Sequence, residues 1–310
     1  MAAMLHHTPD DHWTTDPWTW SLGAGGWVPV SPPNAIPLPT ADDSVFLVYD
    51  SDRHLDVVMV FPRGASDPAV GVWEWDGQSW THTTPSGGPH SVSQWASAAY
   101  DPALHATVMV DGDSFEQGRV NTWLLDAGGW RAISAPDYPD PGPVVVLNYD
   151  SVHHTVVALD KNYVTWRFDG ADWQPVAQMS GPTPSVSAGM GRQAPEVTFD
   201  PDHARWIVFG GFTGYVELDD TWTGDETSWT ERTPLRSPSP RSSFPGTPSI
   251  AWDPGLSDAI LYGAFGEGVR TSPDLDDTWA WDGTTWTQLA GPYYPGPSPS
   301  PASGARTTSS

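Results

Sequence analysis

Histidines, carboxylates and arginines recur along this chain at spacings that could each support a chemistry. His54, His105, His154 and His203 return at near-equal intervals, and imidazoles gathered at one point would hold a transition metal or carry protons. Asp50, Asp101, Asp150, Asp200 and Asp253 keep step with them, and carboxylates brought together are tools of acid–base catalysis. Arg63, Arg119, Arg192, Arg241 and Arg270 are five of only 13 lysines and arginines in a chain of formal net charge −25. Their guanidinium forks suit an anionic or sugar-like ligand. The stretch Asp111-Gly112-Asp113-Ser114-Phe115-Glu116 offers oxygen ligands to a hard cation such as Ca²⁺, but it lacks the full Asp-x-Asp-x-Asp-Gly loop and is expected to be a solvated acidic loop. Cysteine is absent, which removes thiolate catalysis and disulfides.

The elements that must position these groups are announced by tryptophan. Six pairs, Trp20/Trp27, Trp73/Trp80, Trp123/Trp130, Trp166/Trp173, Trp222/Trp229 and Trp279/Trp286, each span seven residues, and their closing members advance by 53, 50, 43, 56 and 57. A period near this length with a fixed aromatic signature is that of a propeller. Within Trp73-Glu74-Trp75-Asp76-Gly77-Gln78-Ser79-Trp80, Asp76-Gly77 reads as the two-residue loop of a type I′ hairpin, which sets Trp73 directly opposite Trp80. Asp169-Gly170 and Asp282-Gly283 keep that signal; Asp126-Ala127, Asp225-Glu226 and Gly23-Ala24 do not keep both residues. A second hairpin precedes five of these, marked by Tyr49-Asp50, Tyr100-Asp101, Tyr149-Asp150, Phe199-Asp200 and Trp252-Asp253, each followed by a turn and an apolar run. The unit is strand A, turn, strand B, loop, strand C, turn, strand D, a four-stranded antiparallel blade.

A residue present in every blade is explained by the blade, so function belongs to departures from the repeat. The four histidines and five aspartates then fall in successive A–B turns, spread around a ring and too far apart to share a metal, and neither a metal nor a catalytic set is expected. The pairs His6-His7 and His153-His154 are adjacent in sequence, and adjacent residues of a strand point to opposite faces, which makes them weak ligands. Among the 19 tryptophans the pairs take twelve, and Trp75, Trp206, Trp252 and Trp281 fill repeat slots. Trp13, Trp18 and Trp95 remain. They fall on or beside the end of the ring formed by the B–C and D–A loops, as do Arg63, Arg119 and Arg270 (B–C) and Arg192 and Arg241 (D–A). The A–B and C–D turns are short and regular, whereas the loops at the other end are unequal, and unequal loops on a rigid scaffold are where binding is carried.

The aromatic-Asp marks, the apolar runs, Phe209-Gly210-Gly211 and Asp219-Asp220-Thr221-Trp222 with Trp229 resemble bacterial kelch-repeat proteins, whose repeat also forms the central domain of galactose oxidase. The resemblance spans roughly residues 16–290, with the diglycine kept only at Gly210-Gly211. It implies an all-β, kelch-like β-propeller of six blades, at about 1–30, 41–84, 94–134, 142–177, 194–233 and 248–290. The first blade lacks its A strand, and its B strand can only be Ala3–His6. Either that blade is incomplete or the Pro/Ser-rich segment 291–310 closes it, since Ser298-Pro299-Ser300-Pro301-Ala302-Ser303 echoes Ser237-Pro238-Ser239-Pro240-Arg241-Ser242. The copper radical chemistry of galactose oxidase is excluded, because it needs a cysteine. The sialidase box Ser-x-Asp-x-Gly-x-x-Trp is not met, and Glu196, Asp200 and His203 miss the Glu-x-x-x-Asp-x-x-x-His spacing of iron-dependent specifier proteins. An epimerase like the kelch-type mutarotases would use the arginines with Glu217 or Glu267.

The charge of −25 repels nucleic acid and anionic lipid, and no run of apolar residues is long enough to insert in a membrane. Family resemblance suggests an extracytoplasmic place, while Met1–His7 carries no signal-peptide pattern. The expectation is therefore a monomeric, cofactor-free, non-catalytic binding module for an unidentified small molecule, glycan or protein. Its ligand would be a sugar or small anion held by Arg63, Arg119, Arg192, Arg241, Arg270, Trp13, Trp18 and Trp95. A mutarotase-like enzyme or a part of a larger surface protein are the alternatives.

Overall fold

The computed structural model describes residues 2–7, 13–23, 26–30, 44–61, 71–89, 92, 96–112, 120–134, 146–160, 162–177, 181, 192–213, 216–226, 228–242, 249–263, 275 and 277–290. They form an all-β propeller with five blades of four antiparallel strands. The blades are β4 (Ser44–Asp50), β5 (Leu55–Phe61), β6 (Gly71–Trp75) and β7 (Trp80–Thr83); β8 (Ser97–Asp101), β9 (Ala106–Gly112), β10 (Val120–Asp126) and β11 (Gly129–Ile133); β12 (Val146–Asp150), β13 (Thr155–Leu159), β14 (Thr165–Phe168) and β15 (Trp173–Ala177). The fourth comprises β16 (Glu196–Asp200), β17 (Arg205–Phe209), β20 (Thr221–Gly224) and β21 (Trp229–Arg232), with a small hairpin of β18 (Phe212–Thr213) and β19 (Val216–Glu217) in its B–C loop. The fifth comprises β22 (Ile250–Asp253), β23 (Asp258–Tyr262), β24 (Thr278–Trp281) and β25 (Trp286–Ala290). Six blades were expected, the first of them incomplete or closed by residues 291–310, against the five four-stranded blades observed. The N-terminal copy instead makes a three-stranded sheet of β1 (Ala2–His7), β2 (Trp13–Gly23) and β3 (Gly26–Val30), and residues 291–310 lie outside the described ones.

The first strands of the five blades, β4, β8, β12, β16 and β22, pack side by side in that order, and β25 comes alongside β3. Between blades the apolar faces meet in successive clusters. Phe46, Val57, Met59 and Val72 meet Tyr100, Met109 and Trp130; Val157 and Leu159 meet Val197, Phe199 and Trp206; Ile207 and Phe209 meet Ile250, Leu261, Trp281 and Trp286.

The turn aspartates behave uniformly. In each A–B turn the aspartate Oδ1 accepts the backbone N–H groups two and three residues on: Asp50 from Asp52 and Arg53, Asp101 from Ala103 and Leu104, Asp150 from Val152 and His153, Asp200 from Asp202 and His203, Asp253 from Gly255 and Leu256. The residue after each of these, His54, His105, His154, Ala204 and Ser257, takes positive φ. Three of the recurring histidines therefore mark a left-handed turn position, one that histidine tolerates better than most side chains.

The C–D register differs from the two-residue loop expected of Asp-Gly. Trp75 lies opposite Trp80, and Trp73 opposite His82. The same offset pairs Phe168 with Trp173 and Trp281 with Trp286. The cause is again the aspartate side chain. Asp76 Oδ1 accepts from the N–H groups of Gln78 and Ser79, holding a four-residue loop in which only Gly77 has positive φ (92°), whereas a type I′ turn needs two such residues. The seven-residue pair is thus a same-face diagonal, and the direct aromatic contact is Trp75–Trp80, with ring centroids 5.3 Å apart.

The threonine before the first tryptophan of a pair is a joint between blades. Trp173 Nε1–H donates to Thr122 Oγ1 in the preceding blade at 2.9 Å, and Trp286 Nε1–H to Thr221 Oγ1 at 2.9 Å. At Thr165 the place is taken by Trp206 of β17, at 3.1 Å, and the Trp229 indole N–H of that blade has no partner among the described residues. In the first complete blade Val72 occupies the threonine slot. The indole that should bond there, Trp130, packs with Val72 in one cluster, and its buried N–H has no partner among the described residues. Val72→Thr should therefore raise stability by about 0.5–1.5 kcal/mol, and Thr221→Val should lower it by about 1–3 kcal/mol, in urea unfolding of the two variants against the parent. Equal midpoints for all three would show that the joint carries no energy.

Candidate functional site

Strand direction puts the start of every first strand, with the D–A loop before it, at the same end of the propeller as the B–C loops. Two arginines lie just there. Arg192 precedes β16 and donates to both carboxylate oxygens of Asp220, at 2.7 and 2.5 Å, and to the carbonyl of Gly210. Arg241 precedes β22 and repeats the arrangement: NH1 and NH2 to Asp277 at 2.8 and 3.1 Å, NH1 to the Gly263 carbonyl at 2.8 Å, and Nε to the Ser239 carbonyl at 3.0 Å. Both guanidinium side chains have no solvent exposure. Each clamp joins the end of strand B to the residue before strand C, closing the base of a B–C loop. The second oxygen of each aspartate also accepts an indole N–H, Asp220 from Trp222 at 2.7 Å and Asp277 from Trp279 at 2.6 Å. Burial pulls these carboxyls upward, yet the bonds from arginine and indole outweigh it and hold both below the ordinary aspartate range.

Glycine completes the first clamp. The N–H of Gly211 donates to the Arg241 carbonyl at 2.7 Å, and the N–H of Leu218 to the Gly211 carbonyl at 2.7 Å. Gly210 and Gly211 have φ of 60° and 88°, and a Cβ on either would come within 2.7 Å of a backbone oxygen, that of Arg241 or Gln193. The diglycine is where the D–A chain passes directly over the B–C loop.

Two buried polar groups here are not balanced. Glu196, the first residue of β16, is fully buried; its Oε2 accepts the N–H of Ser249 from the next blade, while Oε1 has no partner among the described residues. Desolvation pushes its pKa up to about 7, only partly offset by the Ser249 N–H and the charge of Arg241. In the equivalent slot two blades back, Ser97 Oγ accepts the N–H of Leu147 at 3.0 Å, so the slot is a joint between first strands and Glu196 is its ionisable departure. Tyr163, from the loop between β13 and β14, is buried against Trp229 and its hydroxyl has no partner among the described residues; burial raises its pKa, with the Arg192 charge opposing and the Asp220 charge adding to the rise.

Of the residues expected from the sequence to bind ligand, Arg192 and Arg241 are thus the clamps, their donor groups turned to Asp220, Asp277 and backbone carbonyls. Trp13 and Trp18 lie in β2, whose side chains are not described, and Arg63, Arg119, Arg270 and Trp95 lie outside the described residues, as do Glu267 and Asp113–Glu116. Glu217 is buried in β19. Among the described residues no three His, Asp or Glu side chains gather as a metal site. Spacing did not single out Asp220, Asp277 or Tyr163 as site residues, and it set Glu196 aside as a member of an unmet Glu-Asp-His pattern. A signal for the first two was present: Asp-Thr-Trp occurs at 220–222 and 277–279, in the two repeats that carry an arginine before strand A.

No protein-family model matches the chain, and no curated protein matches it in sequence.

Asp277→Asn should cost about 3–5 kcal/mol, because it leaves the buried Arg241 charge uncompensated, and equilibrium unfolding would show it. Glu196 predicts a pH dependence of opposite sense to the clamp aspartates. Its folded pKa lies above the ordinary 4.5, so its contribution is complete below that value and lost as pH rises through about 7. Glu196→Gln should abolish a decline on the order of 3 kcal/mol between those limits, read from urea midpoints across the range. A parallel decline in the variant would assign it elsewhere.

Proposed function

We propose that this chain is a kelch-type propeller in which β1–β3 form a sixth, incomplete blade, and that it works as a non-catalytic binding module through its B–C/D–A end, for a sugar or small anion. One observation carries the reading. The clamps Arg192–Asp220 and Arg241–Asp277 close the two longest B–C stretches, 210–220 and 263–277, whereas 62–70, 113–119 and 160–164 are shorter. Long loops held at their bases are pre-organised, which lowers the entropy lost when a ligand orders them. In the proposal Arg63, Arg119 and Arg270, which fall in B–C loops by sequence, supply guanidinium groups, and Trp95 in a D–A loop, with Trp13 and Trp18, supplies faces for stacking.

An acid–base reading of the same end rests on Glu196, a carboxyl placed near neutrality beside Arg241, with Glu217 in β19. A faster anomer exchange of a bound sugar in NMR, abolished in Glu196→Gln or Glu217→Gln, would favour it over simple binding.

The binding reading predicts a hit in a panel of neutral and acidic glycans and small anions. Arg119→Ala, Arg270→Ala and Trp95→Ala should each weaken that hit by about tenfold or more, the scale of one charge-assisted bond or stacked ring, in calorimetry. An empty panel, or affinities unchanged in all three variants, would remove this end as the ligand site.

A further inference from the structure

Hydrogen-bond donors left over inside the fold gather at the junction of the third and fourth blades. Elsewhere a strand D tryptophan donates to the threonine of the blade before, Trp173 to Thr122 and Trp286 to Thr221. At this junction the threonine, Thr165, accepts from Trp206 of β17 instead, and the Trp229 indole N–H is left without a partner among the described residues. The Trp229 ring meets Tyr163 edge to face, with centroids 5.9 Å apart and planes at 82°. Tyr163 comes from the B–C stretch of the third blade, and its hydroxyl is the second such donor. The third is Nε–H of Arg192. Arg241 gives its own Nε–H to the Ser239 carbonyl, whereas the Arg192 clamp uses NH1 and NH2 and leaves Nε without a partner among the described residues. Tyr163 and Arg192 are more than nine-tenths buried, at 8% and 5% exposure. The charges of Arg192 and Asp220 are close enough to act on the Tyr163 hydroxyl.

The backbone is unusual at the same place. Among the described residues seven non-glycines take positive φ, and His54, His105, His154, Ala204 and Ser257 do so as the repeated A–B turn position. The remaining two are Tyr163 (61°) and Ala194 (42°), the latter two residues from Arg192. A left-handed conformation is uncommon for a bulky side chain and persists where the surroundings impose it. Gly181 lies so close over Tyr163 that a Cβ there would be 2.5 Å from the ring. The fold thus holds Tyr163 against its backbone preference and gives its hydroxyl nothing to bond.

We propose that this junction binds a neutral polyol such as a sugar, whose oxygens accept from the Tyr163 hydroxyl, Trp229 Nε1–H and Arg192 Nε–H. It rests on the reading of the B–C/D–A end as the binding end, and within that reading it decides between a sugar and a small anion. All three groups donate, which selects a ligand rich in acceptor oxygens. The hydroxyl stays protonated, because burial holds Tyr163 above the ordinary tyrosine range, with the Arg192 charge opposing and the Asp220 charge adding to the rise. The Arg192 charge is already matched by both oxygens of Asp220, so the three donors come without an unpaired positive charge among them.

Indole N–H resonances in heteronuclear NMR test this, with that of Trp229 identified by its loss in Trp229→Phe. The probes are the methyl glycosides of glucose, galactose and mannose, each beside the matching methyl uronide, which differs by one carboxylate. At least one neutral glycoside should shift the Trp229 resonance, with an affinity in calorimetry that changes by less than about twofold between about 0.05 and 0.5 M NaCl. Tyr163→Phe should weaken that binding by about tenfold or more, the scale of one hydrogen bond, and leave the melting temperature unchanged or higher, since no bond within the fold is lost. A lower melting temperature in Tyr163→Phe with affinity unchanged would give the hydroxyl an internal water as its partner and overturn the proposal. Tighter binding of the uronides, weakened by salt, would assign an anion and overturn it as well. If a glycoside binds and Arg119→Ala weakens it while the Trp229 resonance stays in place and Tyr163→Phe has no effect, the binding end stands and this site is wrong. Binding of none of the probes would remove the ligand reading of this end and the proposal with it.

Discussion

Each blade has two apolar faces, and a lone four-stranded sheet has nothing to bury either of them against. That constraint organises the rest. Val157 and Val156 are neighbours in one strand, yet they belong to different clusters, one toward the following blade and one toward the preceding. Stability therefore arises at junctions, in the manner of a one-dimensional array, and the indoles of strand D and strand B are its largest pieces. Burying an indole creates a second requirement, since its N–H must find an acceptor in an apolar seam. Thr122, Thr165 and Thr221 supply one without widening the strand, because threonine is β-branched and its hydroxyl replaces only a methyl of valine.

The two ends of the propeller solve their backbone polarity differently. At the A–B and C–D end, one aspartate side chain per turn accepts N–H groups that a tight reversal leaves over: two in each A–B turn and at Asp76, Asp169 and Asp282, that of Gly128 at Asp126 and that of Ser228 at Asp225. The contacts these turns add reach a neighbouring strand or turn, as the Tyr100 hydroxyl of β8 donates to Asp52 at 2.9 Å and Arg53 donates to Glu74 of β6 at 2.7 Å. At the other end the short stretch 160–164 is closed locally, Asp160 Oδ1 accepting from the N–H groups of Asn162 and Val164, but the longer B–C stretches 210–220 and 263–277 are held by a residue from another loop. The bidentate clamps of Arg192 and Arg241 fix those stretches from a neighbouring loop. A single arginine there meets a carboxylate and a backbone carbonyl together, which lysine's single ammonium could not span with the same planar fork.

Much of this was legible in the residues. The tryptophan period marked the propeller, the aromatic-Asp pairs marked the A–B turns, and the sieve that assigned the histidines to those turns agrees with His54, His105 and His154 at positive φ. The register of the C–D hairpins was not legible, because Asp-Gly specifies a turn only through its backbone, and here the Asp76 side chain holds a longer loop. The blade count differs at the N-terminus, where the missing strand A was legible in the residues and the described strands make a three-stranded sheet in place of a complete sixth blade. The arginines show the plainest limit. Counted as departures from a repeat defined by tryptophan and aspartate, Arg192 and Arg241 look free; aligned with Asp220 and Asp277 they form a smaller repeat of two.

That smaller repeat changes where chemistry should be sought. Blades four and five hold both clamps, the diglycine crossing and Glu196, so among the described residues these departures lie at adjoining junctions. Ser97 shows that a neutral hydroxyl can make the joint between first strands. A carboxyl in that position costs desolvation that the joint does not require, and its second oxygen has no partner among the described residues. Scaffold geometry alone thus gives no reason for a glutamate at 196, whereas it fully accounts for the arginines 192 and 241. Of the groups the structure describes, the weight of the candidate site accordingly moves from the guanidinium groups the spacing pointed to toward the carboxyl beside them.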